Sequence, residues 1–113
     1  MKRFDVVSCV LAGDYGKPRP GVIVQSNLFN ETHASFVLCP ITSLLVAAPL
    51  FRIPLKPSAE NGLKVKSQIM VDKMTAISRN KIKEKFGKLA LKDQLALEHA
   101  LKLWLALKSD AIN

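Results

Sequence analysis

Aromatic residues are scarce in this 113-residue chain: five Phe, one Tyr and one Trp make up 6% of it. Acids are scarce too, nine Asp and Glu against 17 Lys and Arg, which leaves a formal charge of +8. Those acids are scattered along the chain, so no two-metal carboxylate cage is suggested, and neither a metal nor a cofactor is expected. The only cysteines, Cys9 and Cys39, follow no metal-ligand spacing. Both lie in apolar, strand-like runs and read as buried thiols of a reducing compartment. His33 and His99 are far apart in sequence, which argues against a two-histidine acid–base pair. No Gly-rich phosphate loop and no Ser-His-Asp pattern stands out.

Long hydrophobic runs are also missing. The longest, Phe36 to Phe51, is interrupted by Pro40, Thr42, Ser43 and Pro49 and falls short of the roughly 20 residues a spanning helix needs. Asp5 interrupts any secretory segment after Met1-Lys2-Arg3-Phe4. No membrane association is expected, and the chain is assigned to the cytoplasm. Without repeats or a linker, residues 1–113 read as a single domain.

Apolar residues supply 49% of the chain, enough for one core and too many for a disordered segment. A domain this small gains stability by burying more apolar surface, which favours a homodimer. The charge of +8 points to a polyanionic partner, with plain solubility as the alternative.

Phe4 to Leu11 reads as a first strand, and Ala12 to Pro20 as a Gly/Pro-rich loop. Gly21–Ser26 and Ala34–Ile41 read as strands joined by the polar stretch Asn27–His33. Thr42–Pro49 is an apolar loop. Leu50–Leu55 is an edge strand interrupted by Pro54. Lys64–Val71 reads as a further strand, and Ala76–Ser78 as an extension of the sheet. Asn80–Phe86 is expected as a short, basic helical turn stopped by Gly87. From about residue 92 to 108, Leu97, Leu101, Trp104 and Leu105 form one stripe of a terminal helix. Leu103 and Leu107 widen that stripe, so a second side is expected to meet a partner. The order predicts a mostly-β fold, a small antiparallel barrel with a C-terminal helix.

Three stretches carry chemistry. In Lys17-Pro18-Arg19-Pro20-Gly21, each basic residue precedes a proline and is pushed toward extended backbone. Arg19 is thus stiffly held, which suits bidentate phosphate recognition. A solvated loop arginine is the competing reading, and the residues alone leave both open. Thr42 and Ser43 follow an apolar strand, where hydroxyls donate to a phosphate or simply complete a turn. In Ser67–Lys73, Gln68 is a candidate reader of a base edge, and Asp72 a candidate proton acceptor or orienting group. Local pairing of Asp72 with Lys73 or Lys66 is the plainer alternative. The basic run Arg79–Lys92 is a candidate phosphate-tracking patch or a solvated face.

Taken in order, these stretches resemble the MazF/PemK (Kid-like) toxins of bacterial toxin–antitoxin pairs over about residues 4 to 107. The carriers are Gly16-Lys17-Pro18-Arg19-Pro20 before the strand Gly21-Val22-Ile23-Val24, then Pro40-Ile41-Thr42-Ser43, then Asp72 ahead of Thr75-Ala76-Ile77, and the leucine-rich terminal helix. The resemblance implies an SH3-like barrel that dimerises. It also implies an endoribonuclease that cuts single-stranded mRNA and is silenced by a cognate antitoxin. Carried over by position, Arg19 and Thr42 are the catalytic pair. Asp72 is then the candidate for taking the proton from the RNA 2′-hydroxyl, and Lys17, Pro18, Pro20, Ser43, Gln68 and Lys73 line the substrate path. Arginine's pKa exceeds about 12, so Arg19 is read as a stabiliser of the charged phosphorane rather than as a base. Kid-like members carry Arg two residues before the acid; here that position is Met70. The alternatives are a gyrase-poisoning toxin of the related CcdB type, which catalyses nothing, and a non-catalytic barrel that binds RNA or peptide. The CcdB type relies on an apolar C-terminal end, and Lys108-Ser109-Asp110-Ala111-Ile112-Asn113 fits it poorly.

Overall fold

The computed structural model describes residues 1–108. Seven strands and two helices follow in the order β1 (Asp5–Val10), β2 (Pro18–Ile23), α1 (Asn27–Asn30), β3 (Ser35–Thr42), β4 (Arg52–Leu55), β5 (Ser67–Met70), β6 (Thr75–Ser78), β7 (Ile82–Lys88) and α2 (Leu91–Leu105). The strands lie in the order β4-β5-β3-β2-β1-β7, with β6 also on β3, and every pair is antiparallel. β3 is the spine. Its residues 35–38 pair with β6 and its residues 41–42 with β5, while β2 holds its other edge. This is the expected small barrel with a terminal helix.

Two apolar clusters fill the two faces of the sheet. One gathers Val6, Val22, Cys39, Ile41, Leu55 and Ile69 under Leu97, Ala100 and Leu101 of α2. The other gathers Val7, Cys9, Ile23, Phe36 and Leu38, with Ile77 and Ile82 packed against it. Alternation along β1 explains the split: Val6 and Val7 belong to opposite clusters because successive side chains leave opposite faces.

The barrel closes where β7 meets the segment before β5. The Lys88 amide donates to the Glu60 carbonyl at 2.9 Å. At Gly62, with φ +71°, a Cβ would fall 2.4 Å from the Phe86 carbonyl oxygen, so only glycine fits. Asn61 is buried and shapes the approach, accepting from the amides of Ser58 and Leu63 and donating to the Lys56 carbonyl.

The expected helical turn over Asn80–Phe86 is corrected to a strand. Arg79–Lys81 make a single 3₁₀ turn, and Ile82–Lys88 then pair with β1 through two register shifts. Lys and Glu favour helices, but that preference is worth tenths of a kcal/mol per residue, and it loses to hydrogen bonding with the otherwise open edge of β1. Gly87 is therefore no helix stop: it sits in β7, where a Cβ would fall 2.1 Å from the Glu60 carbonyl oxygen. Other boundaries move as well, and the terminal helix, read to about residue 108, ends at Leu105, where Ala106 takes a left-handed backbone. The strand read at Lys64–Val71 narrows to Ser67–Met70, and the loop read over Ala12–Pro20 gives way to β2 at Pro18. β4 is an edge strand, with Pro54 exposed.

α2 docks through Leu97, Ala100 and Leu101, and Arg3 clamps it to the barrel through Glu98 at 2.9 Å. Trp104 is 47% exposed and packs at a tilt against Phe51, with ring centroids 5.3 Å apart. Leu91, Leu95, Leu103, Leu105 and Leu107 face solvent. No helix among the described residues is long and apolar enough to cross a membrane.

Candidate active site

The turn between β1 and β2 is built by two reversals. The Asp14 amide donates to the Leu11 carbonyl at 3.3 Å, and the Lys17 amide donates to the Asp14 carbonyl at 2.9 Å. Tyr15 and Gly16 have φ of 53° and 78°, the left-handed pair that a tight hairpin of type I′ requires. The reversal brings the Asp14 carboxylate back to within 3.4 Å of Arg19 Nε. Arg19 itself stands in β2 opposite Cys9, whose thiol donates to the Arg19 carbonyl at 3.4 Å. Its backbone is fixed by that pairing and by Pro18 and Pro20, while its side chain stays 45% exposed. A guanidinium held this way can meet an incoming anion without first ordering its backbone.

Thr42 closes β3. Its Oγ1 accepts from the Leu44 amide at 3.0 Å, which orients the hydroxyl and leaves its proton free to donate. Arg19, Thr42, Ser43 and Pro20 line one open cavity of about 880 Å³, together with Asp14 and Glu84. That volume lies within the range of small-ligand sites, at about 300–1,000 Å³.

The remaining candidates lie outside that cavity. Asp72, in a 3₁₀ turn after β5, accepts from Arg52 Nε at 2.8 Å and from Arg52 Nη2 at 3.1 Å. Hydrogen bonding from Arg52, outweighing partial burial, holds the Asp72 carboxyl below the usual carboxylate range. Its partner is thus Arg52, from β4, rather than Lys66 or Lys73. Gln68 uses both ends of its amide on one residue: Oε1 accepts from the Val46 amide at 3.1 Å, and Nε2 donates to the Val46 carbonyl at 2.8 Å. It braces the exposed apolar loop Leu44–Val46 beside the cavity. Lys17, Pro18 and Lys73 are exposed at the surface.

The basic run is partly consumed by structure. Arg79 donates to the carbonyls of Asn30 and His33 and lies over the Phe36 ring at 4.6 Å. Lys85 pairs with the buried Asp5 at 3.3 Å. The sequence reading missed Asp14, Glu84, Lys64 and Phe86 as cavity residues. Asp14 had a local signal, the Asp-x-Gly turn five residues before Arg19. Glu84, Lys64 and Phe86 had none, since only barrel closure brings them to the site. Among the described residues, no three His, Cys, Asp or Glu converge as a metal site.

A small antiparallel barrel capped by one helix, with an exposed, rigid arginine and an oriented threonine at the mouth of an open cavity, is the architecture of small-barrel toxins. The chain belongs to the PemK-like, MazF-like toxin family of type II toxin–antitoxin systems, whose profile matches residues 2–105. It is 36% identical over 108 residues to a probable endoribonuclease MazF of Mycolicibacterium smegmatis, covering 95% of this chain and 98% of that one. In fold it is similar to an endoribonuclease in complex with its cognate antitoxin from a mycobacterial species, with TM-score 0.82, 20% identity, and coverage of 96% of this chain and 98% of that one. It is also similar to the Mycobacterium tuberculosis toxin MazF-mt6, with TM-score 0.80, 21% identity, and coverage of 93% and 99%. A MazE–MazF structure from Deinococcus radiodurans follows, with TM-score 0.78, 15% identity, and coverage of 96% and 97%.

Proposed function

We propose that this MazF-type toxin is an endoribonuclease that cleaves single-stranded RNA at the cavity between Arg19 and Thr42. The observation that carries the reading is the convergence of these two side chains, from different strands, on one open cavity. Arg19 grips the scissile phosphate and neutralises the charge that grows on its oxygens. Thr42 donates to a phosphate oxygen, and Ser43 lies beside it. The RNA 2′-oxygen attacks phosphorus, a 2′-O–P bond forms and the P–5′-O bond breaks. Asp14, in contact with Arg19, accepts the 2′ proton, and the 5′-oxygen, leaving on the opposite side of phosphorus, takes its proton from solvent water. The products are a 2′,3′-cyclic phosphate and a 5′-hydroxyl. Asp72 stays in its ion pair with Arg52 outside the reaction and ties the start of β4 to the turn after β5. Lys17 supplies long-range attraction for the polyanion.

The gyrase-poisoning alternative turned on the end of the chain. Ser109–Asn113 lie outside the described residues, and membership of the MazF-like family favours the ribonuclease reading. Cytoplasmic action follows from an mRNA substrate. A cognate antitoxin is the proposed partner of the exposed apolar loop Leu44–Val46, and a second copy of the chain the partner of Leu95, Leu103 and Trp104 on α2 and of Leu107 just beyond it.

The test incubates single-stranded RNA with the purified protein in EDTA, beside Arg19→Ala and Thr42→Ala. Wild type alone should cut, leaving cyclic phosphate ends, with losses of at least about 100-fold in each variant. Full activity in folded Arg19→Ala would overturn the reading.

A further inference from the structure

The cavity continues beyond Arg19 and Thr42 to a second wall formed by β7, β5 and the segment before β5. Glu84, Phe86, Lys64, Val65 and Met70 line this wall. Phe86 lines the cavity and is 39% exposed, so part of it is within reach of a ligand. Its backbone packs closely against Gly62, where a Cβ would fall 2.4 Å from the Phe86 carbonyl oxygen. Glu84 has no ion-pair partner and no side-chain hydrogen bond among the described residues, whereas Asp14, the other cavity carboxylate, is engaged by Arg19. Lys64 is equally unengaged. Gln68, the base reader expected from sequence, is occupied on both sides by Val46.

We infer that Glu84, Phe86 and Lys64 form a guanine subsite for a nucleotide next to the scissile phosphate. The placement rests on the ribonuclease reading; the choice of base rests on the donor pattern. Guanine presents N1–H and N2–H side by side, which a carboxylate accepts bidentately, with O6 beyond them to accept from an ammonium. Adenine and cytosine each place one amino donor beside a ring-nitrogen acceptor that repels the carboxylate. Uracil offers one N3–H flanked by two carbonyl oxygens. A purine also covers more of the Phe86 ring, and base–aromatic stacking contributes to single-strand binding for any base.

The experiment has two readouts. Randomised single-stranded RNA is cleaved and its ends are mapped. Separately, fluorescence anisotropy follows binding of uncleavable 2′-O-methyl oligonucleotides carrying guanine, inosine or adenine at the mapped position, or at each position in turn if nothing is cut. Wild type should prefer guanine by about tenfold, and inosine, which lacks the N2 amino group, should lose most of that preference. Glu84→Gln should level guanine and inosine. Phe86→Leu, which keeps the packing on Gly62, should weaken binding of all bases at that position. Cleavage with no guanine preference, or a preference that survives Glu84→Gln, overturns the subsite and leaves the ribonuclease reading standing. Guanine-selective binding without cleavage does the reverse.

Discussion

Replacing Asp72 by Asn separates a structural role from a catalytic one. The Arg52 and Asp72 side chains are 13% and 16% exposed and share two hydrogen bonds, at 2.8 and 3.1 Å. Breaking a fully buried pair by removing one partner costs about 3–5 kcal/mol. Residual exposure lets water reach the stranded guanidinium, which brings the expected loss to about 1–3 kcal/mol. For a chain of this length the melting temperature then falls by about 4–12 °C. The sign with pH follows from the direction of the shift. The native carboxyl lies below its unfolded value, so the pair contributes fully above the unfolded carboxylate range, at about 4, and that contribution is lost as pH falls through the native value. Asp72→Asn should therefore melt lower than wild type at neutral pH, and the two should converge in acid. Thermal melts across pH measure the stability, and RNA cleavage per folded molecule measures the chemistry. The reasoning fails if Asp72→Asn keeps the wild-type melting temperature and loses its cleavage, because Asp72 would then act in the reaction and not in the pair.

Other perturbations follow from packing and burial. Leu97→Ala, which truncates a side chain with no exposed area between α2 and the barrel, should cost about 2–5 kcal/mol in denaturant unfolding; a loss under 1 would mean that the helix does not seal this core. Gly62→Ala places a Cβ against the Phe86 carbonyl at φ +71° and should destabilise by more than about 2 kcal/mol, whereas Gly16→Ala, which meets no neighbour within 4 Å, should cost only the left-handed backbone strain of about 1 kcal/mol. Burial, helped by the nearby Asp14 charge, pushes the Cys9 thiol up to about 11. Burial with Asp72 nearby pushes Cys39 up to about 12. Neither should react with a thiol reagent at pH 8 until the protein is unfolded, and rapid native-state labelling would contradict this account.

Much of the fold was legible in the chain because it rests on short-range patterning. The alternating apolar runs of β1, β2 and β3, the edge strand marked by Pro54 and the leucine stripe of α2 are local signals that need no knowledge of neighbours. The local setting of Arg19 and Thr42 was legible for a related reason: each lies near the end of a strand, in a stretch whose prolines or hydroxyls announce a special backbone. Other features depended on contacts distant in sequence. β7 is a strand because β1 offers it an edge, not because Lys81-Ile82-Lys83-Glu84-Lys85 favours one. Asp72 is an arginine partner because β4 carries Arg52 alongside it, and Gln68 is a loop brace because Val46 lies across from it. The sequence by itself thus determined which segments alternate, which backbone is stiff and that the chain carries a strong positive charge. The tertiary structure decided which charges are already spent on each other and which remain open to a ligand, because barrel closure alone sets the distance between Arg19 on one strand and Glu84 and Phe86 on another.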